Sequence, residues 1–196
     1  MHPEVTVLDP PHAIQQVHSR QSMLQDVTDL NLSDAYGKVG IPKQLVIKKD
    51  PSSIPDEVSK AGLRLPIVAK PLVAKSHELS LAHDEYSLQK LEPPLVLQEF
   101  INHCCAAAFA DEADLDPCVA ELPPQPLLER LARELRRWLG LRLFNLDIIR
   151  EHGACGRYYV IDINYFPGFG KMPEYEHIFT DFLLSLVQRE CVDKPV

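Results

Sequence analysis

Apolar positions along the chain fall into short runs separated by proline, and their spacing alternates between helical and extended periods. From His12 to Leu30, Ile14, Val17, Leu24 and Val27 recur at approximately helical spacing behind Asp9-Pro10-Pro11, which predicts a helix opened by the proline pair. Leu45-Val46-Ile47 reads as a short strand, and Ile54 to Ala61 as a small helix closed by Gly62. Leu65 to Val73 predicts a strand that Pro71 interrupts or moves to a sheet edge, and Leu95 to Ile101 a further strand after Pro93-Pro94. The first half is therefore α+β. A longer helix is expected from Pro126 to Gly140, with Leu127, Leu131, Leu135 and Trp138 on one stripe and Arg130, Arg133, Arg136 and Arg137 on the other face. Glu129 and Glu134 beside those arginines make a solvated, ion-paired face the simpler reading than an anion site. A last helix from Pro173 to Gln188 carries Tyr175, Ile178, Phe182, Leu183 and Leu186, with Phe182 in the core.

The segment Leu141 to Ile149, a turn at Gly153-Ala154-Cys155-Gly156, and Tyr158 to Asn164 predict a hairpin. Symmetric pairing sets His152 opposite Arg157, Ile149 opposite Val160 and Asp147 opposite Asp162. Because side chains alternate faces, Asn145 shares the face of Asp147, and Asn164 that of Asp162. Two opposed carboxylates in an apolar hairpin repel unless a cation or a shared proton lies between them. Magnesium suits an all-oxygen donor set that phosphates complete, which points to phosphoryl chemistry. Two alternatives remain at this point: surface salt bridges, and the acid pair of a glycosidase. Asn164, a third oxygen ligand that hydrolysis does not require, favours the metal. Just beyond it, Gly168, Gly170 and Lys171 form a turn whose amides can approach an oxyanion.

Composition narrows the class. The 196 residues are 45% hydrophobic, enough for a buried core, and 28 acidic against 20 basic residues give a net charge of -8. That balance argues against a nucleic-acid partner. No apolar run is long enough to span a bilayer, and Met1-His2-Pro3-Glu4 lacks the pattern of a secretory signal, so the expected setting is cytoplasmic, without a membrane partner. Five cysteines without regular ligand spacing read as free thiols.

Several motifs together resemble the plant inositol-tetrakisphosphate 1-kinase / inositol 1,3,4-trisphosphate 5/6-kinase family. They are His2-Pro3-Glu4-Val5-Thr6-Val7-Leu8-Asp9-Pro10-Pro11, Arg20-Gln21-Ser22-Met23-Leu24, Val68-Ala69-Lys70-Pro71 with Ser76-His77-Glu78-Leu79, Leu97 to His103, and Asp162-Ile163-Asn164-Tyr165-Phe166-Pro167-Gly168. The resemblance implies an ATP-grasp fold and transfer of the γ-phosphoryl group of ATP to a hydroxyl of inositol tris- or tetrakisphosphate. It implies that Arg20 and Lys70 contact ATP, that Gln98, Glu99, Phe100 and Ile101 meet the adenine, and that His77, Asn164 and Gly168 contact the inositol phosphate. Asp147, Asp162 and Asn164 are implied as magnesium ligands, with no protein general base, and the family is expected to be monomeric.

The chain also departs from that pattern. Against the family it reads as a partial ATP-grasp fold, lacking the N-terminal subdomain and part of the central nucleotide-binding sheet. After Asn102-His103, where the family continues with a glycine pair and further strands, Cys104-Cys105-Ala106 follows at once. The expected organisation is a central-subdomain remnant over residues 1–103, a connector at an internal deletion over 104–125, and a C-terminal subdomain with the metal-binding hairpin over 126–190. The alternative function is an inactive member that binds a magnesium nucleotide or a partner.

Overall fold

The computed structural model describes residues 7–18, 32–72, 79–103, 123–166 and 174–192. The chain divides into two compact units, Met1–Tyr165 and Phe166–Val196.

The first unit contains two four-stranded sheets, each backed by its own helices. One has the order β1 (Leu32–Asp34), β2 (Gly37–Gly40), β8 (Arg157–Tyr165), β7 (Phe144–Arg150). The other has the order β3 (Gln44–Ile47), β6 (Leu95–Glu99), β4 (Ile67–Pro71), β5 (Ser80–Ala82). Strands from residues 32–40 thus join a sheet otherwise built from residues 144–165, through a parallel pairing of β2 with β8. Helices α1 (Pro11–His18) and α4 (Gln125–Leu139) cover the first sheet. Their core joins Ala13 and Val17 to Leu127, Leu131, Leu135 and Leu139, packed on Val39, Tyr158, Val160 and Ile163. Helices α2 (Ile54–Ala61) and α3 (Glu85–Leu88) cover the second sheet, where Ile54, Val58 and Leu88 pack on Ile47, Ile67, Leu95 and Leu97. Burial of the odd-numbered residues of β3, β4 and β6 leaves Gln44, Val46, Lys70, Val96 and Gln98 on the sheet's other face.

Most predicted elements recur, with instructive shifts. The helix from residue 54 stops at Ala61, and Gly62 caps it in the left-handed region at φ 63°. Of the helix expected over 12–30, residues 11–18 are helical and 19–31 lie outside the described residues. β4 is not an edge strand. Pro71 is tolerated inside the sheet because β5 pairs only with Ile67–Ala69, so Pro71 has a single neighbour, Leu95. The stripe of α4 ends on buried Leu139, while Trp138 is 42% exposed: a four-residue step from Leu135 stays closer to the stripe than a three-residue step.

Asp9, just before the proline pair, reaches the entry of a distant strand. It is buried, and its carboxylate accepts hydrogen bonds from the amides of Arg142, at 2.6 Å, and Leu143, at 3.3 Å, tying the segment before α1 to the entry of β7. In the second unit, α5 (Tyr175–Val192) stacks Tyr175, Phe179 and Phe182 along one side. Phe182 is only half-buried there, because it shares its cover with those neighbouring rings.

Gly37 shows why β2 can approach the hairpin turn so closely. Its φ is 143°, and an added Cβ would lie 2.6 Å from the carbonyl oxygen of Gly156, whose oxygen also accepts from the Lys38 amide at 2.7 Å. Gly37→Ala is expected to cost about 1–3 kcal/mol in urea denaturation. Gly62→Ala, with positive φ but nothing within 4 Å, should cost only about 1 kcal/mol. Equal losses at the two positions would remove the close approach as the cause.

Candidate functional site

The hairpin β7–β8 does not pair symmetrically. From the turn inward, Arg150 opposes Tyr158, Ile149 opposes Tyr159 and Ile148 opposes Val160. The next pair is Asp147 with Asp162, followed by Leu146 with Ile163 and Asn145 with Asn164. Ile161 has no partner across the ladder: it is the extra residue of a β-bulge. The expected pairing of Ile149 with Val160, and of His152 with Arg157, is therefore corrected by one residue, and the Glu151 amide donates to the Arg157 carbonyl instead. The turn begins one residue earlier than symmetry suggests and the bulge restores the count, so the two shifts cancel at the acids.

The bulge also explains the faces. Val160 and Ile163 are both buried against the helices although they are three positions apart, an odd step that strict alternation forbids and one extra residue permits. Phe144, Leu146 and Ile148 pack on the same side. Asn145, Asp147, Asp162 and Asn164 consequently share the opposite face of the hairpin. Asp147 and Asn164 are exposed, and Asp162 and Asn145 half-buried. Asn145 Oδ1 is buried without a hydrogen-bond partner.

The second sheet reaches this hairpin through Lys70. Its ammonium, on a residue only 7% exposed, donates to the carbonyl oxygen of Ile161 at 2.9 Å. A charged group so buried requires an acceptor, and the bulge carbonyl, outside the regular ladder, supplies one. A second junction lies at the exit of β6. The His152 amide donates to the Asn102 carbonyl at 2.8 Å, and His103 forms an isolated antiparallel bridge with Glu151. Residues 98–101 thus end beside the hairpin turn. Gln98 is buried on the face of Lys70, and its Nε2 and the Oε1 of Gln44 on the paired strand both lack a hydrogen-bond partner. Glu99 is tied by its amide to the Lys43 carbonyl at 2.8 Å, Phe100 lies 5.9 Å from the His103 ring, and His103 Nδ1 is 2.8 Å from the Ile101 carbonyl.

The structure therefore sets Lys70 beside the strand that carries Asp162 and Asn164, with Asp147 opposite Asp162, while Gln98 to Ile101 lead to the turn end of the same hairpin. Arg20, His77 and Gly168 lie outside the described residues. Reading the sequence missed Asn145 as an unsatisfied acceptor, Gln44, and the bulge. For Gln44 a signal existed: a glutamine opening an apolar run, paired with a second glutamine. Of the two acids expected to pair with the arginines of α4, Glu134 does so, while Glu129 accepts from Gln125. Arg130 pairs with Asp34 and Arg137 with Glu134, both at 3.1 Å. Arg133 and Arg136 instead line a groove of about 710 Å³ with Arg142, Phe144, Leu146 and Ile148, on the hairpin face away from the acids.

Among the described residues, no group of three or more His, Cys, Asp and Glu side chains forms a metal cage. Two opposed carboxylates, an exposed asparagine and an orphaned amide oxygen are all hard oxygen donors. That set fits magnesium, which takes few protein ligands and leaves room for phosphate and water. It does not suit a thiolate- or imidazole-preferring metal.

Two four-stranded sheets, with a buried strand lysine of one hydrogen-bonded beside the carboxylate hairpin of the other, fit the ATP-grasp fold. Solved structures agree. The macrocyclase MdnC bound with precursor peptide MdnA, from Microcystis aeruginosa, is similar with a TM-score of 0.63 at 21% identity, over 92% of this chain and 64% of that one. The ATP-grasp ligase PsnB, in a complex with Mg and ADP, has a TM-score of 0.61 at 16% identity, over 92% and 62%. This chain thus spans somewhat less than two thirds of those proteins. In sequence, residues 33–109 and 104–185 match the profile of the inositol 1,3,4-trisphosphate 5/6-kinase ATP-grasp domain, and the chain belongs to that family. Inositol-tetrakisphosphate 1-kinase 3 of Arabidopsis thaliana is 63% identical over 97% of this chain and 67% of its own length. Inositol-tetrakisphosphate 1-kinase 4 of Glycine max is 60% identical over 98% and 71%.

The relatives also possess positions that this chain lacks. The Arabidopsis match extends over 236 residues, whereas 97% of 196 is about 190, so about 46 positions of the relative have no counterpart here. The two matched stretches of the family profile meet at residues 104–109. The shortening is therefore internal to the aligned region.

Near the turn, Glu151 accepts from Arg157 at 3.1 Å and from the Tyr159 hydroxyl at 3.4 Å. Burial and then the Glu151 charge raise the Tyr159 phenol above its ordinary value of 10.0; burial and then Asp9 raise Tyr165 likewise. A folded-state value above the unfolded one favours the protonated phenol in the fold, so this stabilisation is complete below pH 10.0 and lost as pH rises through the raised values. Urea titrations on the alkaline side should show stability falling, and the fall should be shallower in Tyr159→Phe. An unchanged slope in that variant would contradict the assignment.

Proposed function

We propose that the chain binds magnesium-ATP between its two sheets and transfers the γ-phosphoryl group to a hydroxyl of inositol tris- or tetrakisphosphate. The observation that carries this reading is the register: Asp147 opposite Asp162, with Lys70 hydrogen-bonded to the residue between Val160 and Asp162. The family membership and the relatives' activity as inositol-tetrakisphosphate 1-kinases support the substrate class.

Asp147, Asp162 and Asn164 would hold magnesium, with Asn145 available as a further oxygen. Bound there, the ion would offset charge on the nucleotide phosphates. Lys70 places a cation beside the same phosphates, in a buried setting that strengthens each contact. The chain from Gln98 to Ile101 offers backbone groups to the adenine edge. Arg20 is assigned to ATP, and His77 and Gly168, together with Asn164, to the inositol phosphate. Positioning and charge stabilisation then carry the reaction, the inositol hydroxyl attacking the γ-phosphorus in line as ADP leaves, with no covalent enzyme intermediate.

A second reading is favoured by the internal shortening of about 46 positions: a module that binds the magnesium nucleotide without transferring phosphate. Incubation with γ-labelled ATP, magnesium and inositol tetrakisphosphate separates the two. Label in an inositol phosphate supports the kinase. Nucleotide binding without labelled product supports the module.

In either case the acids predict a metal response. Removing one of two opposed carboxylates relieves repulsion, so Asp147→Asn should match or exceed the thermal stability of the unsubstituted chain without magnesium. With magnesium and ATP its stabilisation should fall well below that of the unsubstituted chain. A full ligand-induced shift in Asp147→Asn would exclude the carboxylate pair as the metal site.

A further inference from the structure

The lysine assigned to the phosphates and the acids assigned to the metal lie on different sheets, and a backbone carbonyl beside the acids accepts from the lysine. β8 carries an extra residue, Ile161, where the ladder passes from Ile148–Val160 to Asp147–Asp162. Its carbonyl oxygen receives the Lys70 ammonium at 2.9 Å. A bulge residue is left out of the regular pairing and re-aims the groups around it, while an ammonium on a residue with 7% exposure requires acceptors to offset lost hydration. Each group meets the other's need. Ile161 is also bonded directly to Asp162, so the hydrogen bond places the Lys70 cation one peptide unit from the acid pair.

We propose that the main-chain carbonyl of Ile161 is the positioning group for Lys70, and that the bulge couples the phosphate-binding cation to the metal-binding carboxylates. This rests on the nucleotide reading given above and deepens it: the ligand so recognised is a magnesium-chelated di- or triphosphate, whose two charged features must be met at one spacing. An ammonium carries three donors, so the bond to Ile161 fixes its place while phosphate oxygens compete for the rest. Loss of the carbonyl removes a bond that restricts the rotamers of the flexible four-carbon stem.

The bulge can be removed without disturbing the acids. Deleting Ile161 leaves Ile148 opposite Val160 and Asp147 opposite Asp162, and regular alternation then buries Val160 and Ile163 with Asp162 on the other face. ATP binding is measured by equilibrium dialysis in magnesium for the unaltered chain, the Ile161 deletion, Lys70→Met and the combination. The deletion should weaken ATP binding about tenfold or more, yet cost nothing further in the Lys70→Met background, because it acts through Lys70. Its remaining ATP binding should still depend on magnesium. Deletion without effect, or effects that multiply, would overturn the proposal.

A measurement on the undeleted chain covers the case in which the deletion variant does not fold. With ¹³C-carbonyl isoleucine, Lys70→Met should shift the Ile161 resonance; an unmoved resonance in a chain that binds ATP overturns the positioning role alone. Failure of the unaltered chain to bind ATP in magnesium would overturn the nucleotide reading, and the positioning role with it.

Discussion

A single extra residue in β8 is the constraint on which the site depends. With Ile161 present, regular continuation of the register from the turn would set Asp147 opposite Ile161; bulging Ile161 out of the ladder brings Asp162 to Asp147 and lets Val160 and Ile163 both face the core. Insertion of one residue normally reverses which side chains face the core. Here the bulge confines the reversal to one position, so apolar residues on both sides of it reach α1 and α4 while the acids and amides share the opposite face. The same irregularity frees a carbonyl for Lys70, and hence ties the second sheet to the hairpin.

The rest of the first unit supports that arrangement. Asp9 holds the entry of β7 through two backbone amides, and β2 closes on β8 through the narrow approach at Gly37. At the opposite end of the hairpin, Asn102 and His103 carry the end of β6 to the turn. The chain lacks about 46 positions that the Arabidopsis relative possesses. The shortening therefore leaves both the lysine strand and the carboxylate hairpin present. This is why nucleotide recognition and phosphoryl transfer are separable questions for the chain.

Much of this was legible in the sequence, for identifiable reasons. The leucine stripe of α4 and its terminal glycine are local signals, and the acid pair follows from a hairpin whose alternation is strong. The tip register was not legible, because turn length and a bulge trade one residue against each other and composition records neither. Pro71 suggested an edge strand, yet the sheet accommodates it where β5 has already ended. Trp138 looked like core by residue type, but the helical period favours Leu139. Long-range polar contacts, such as Asp9 with β7 and Lys70 with Ile161, join residues distant in sequence and leave no periodic trace.

The carboxylate hairpin and the lysine are proposed to meet one magnesium-bound nucleotide. Calorimetric titration of ATP into the folded chain, with magnesium and then with a chelator, tests this. Saturable binding that is strong in magnesium and collapses in chelator is predicted; equal affinity in both would contradict the account.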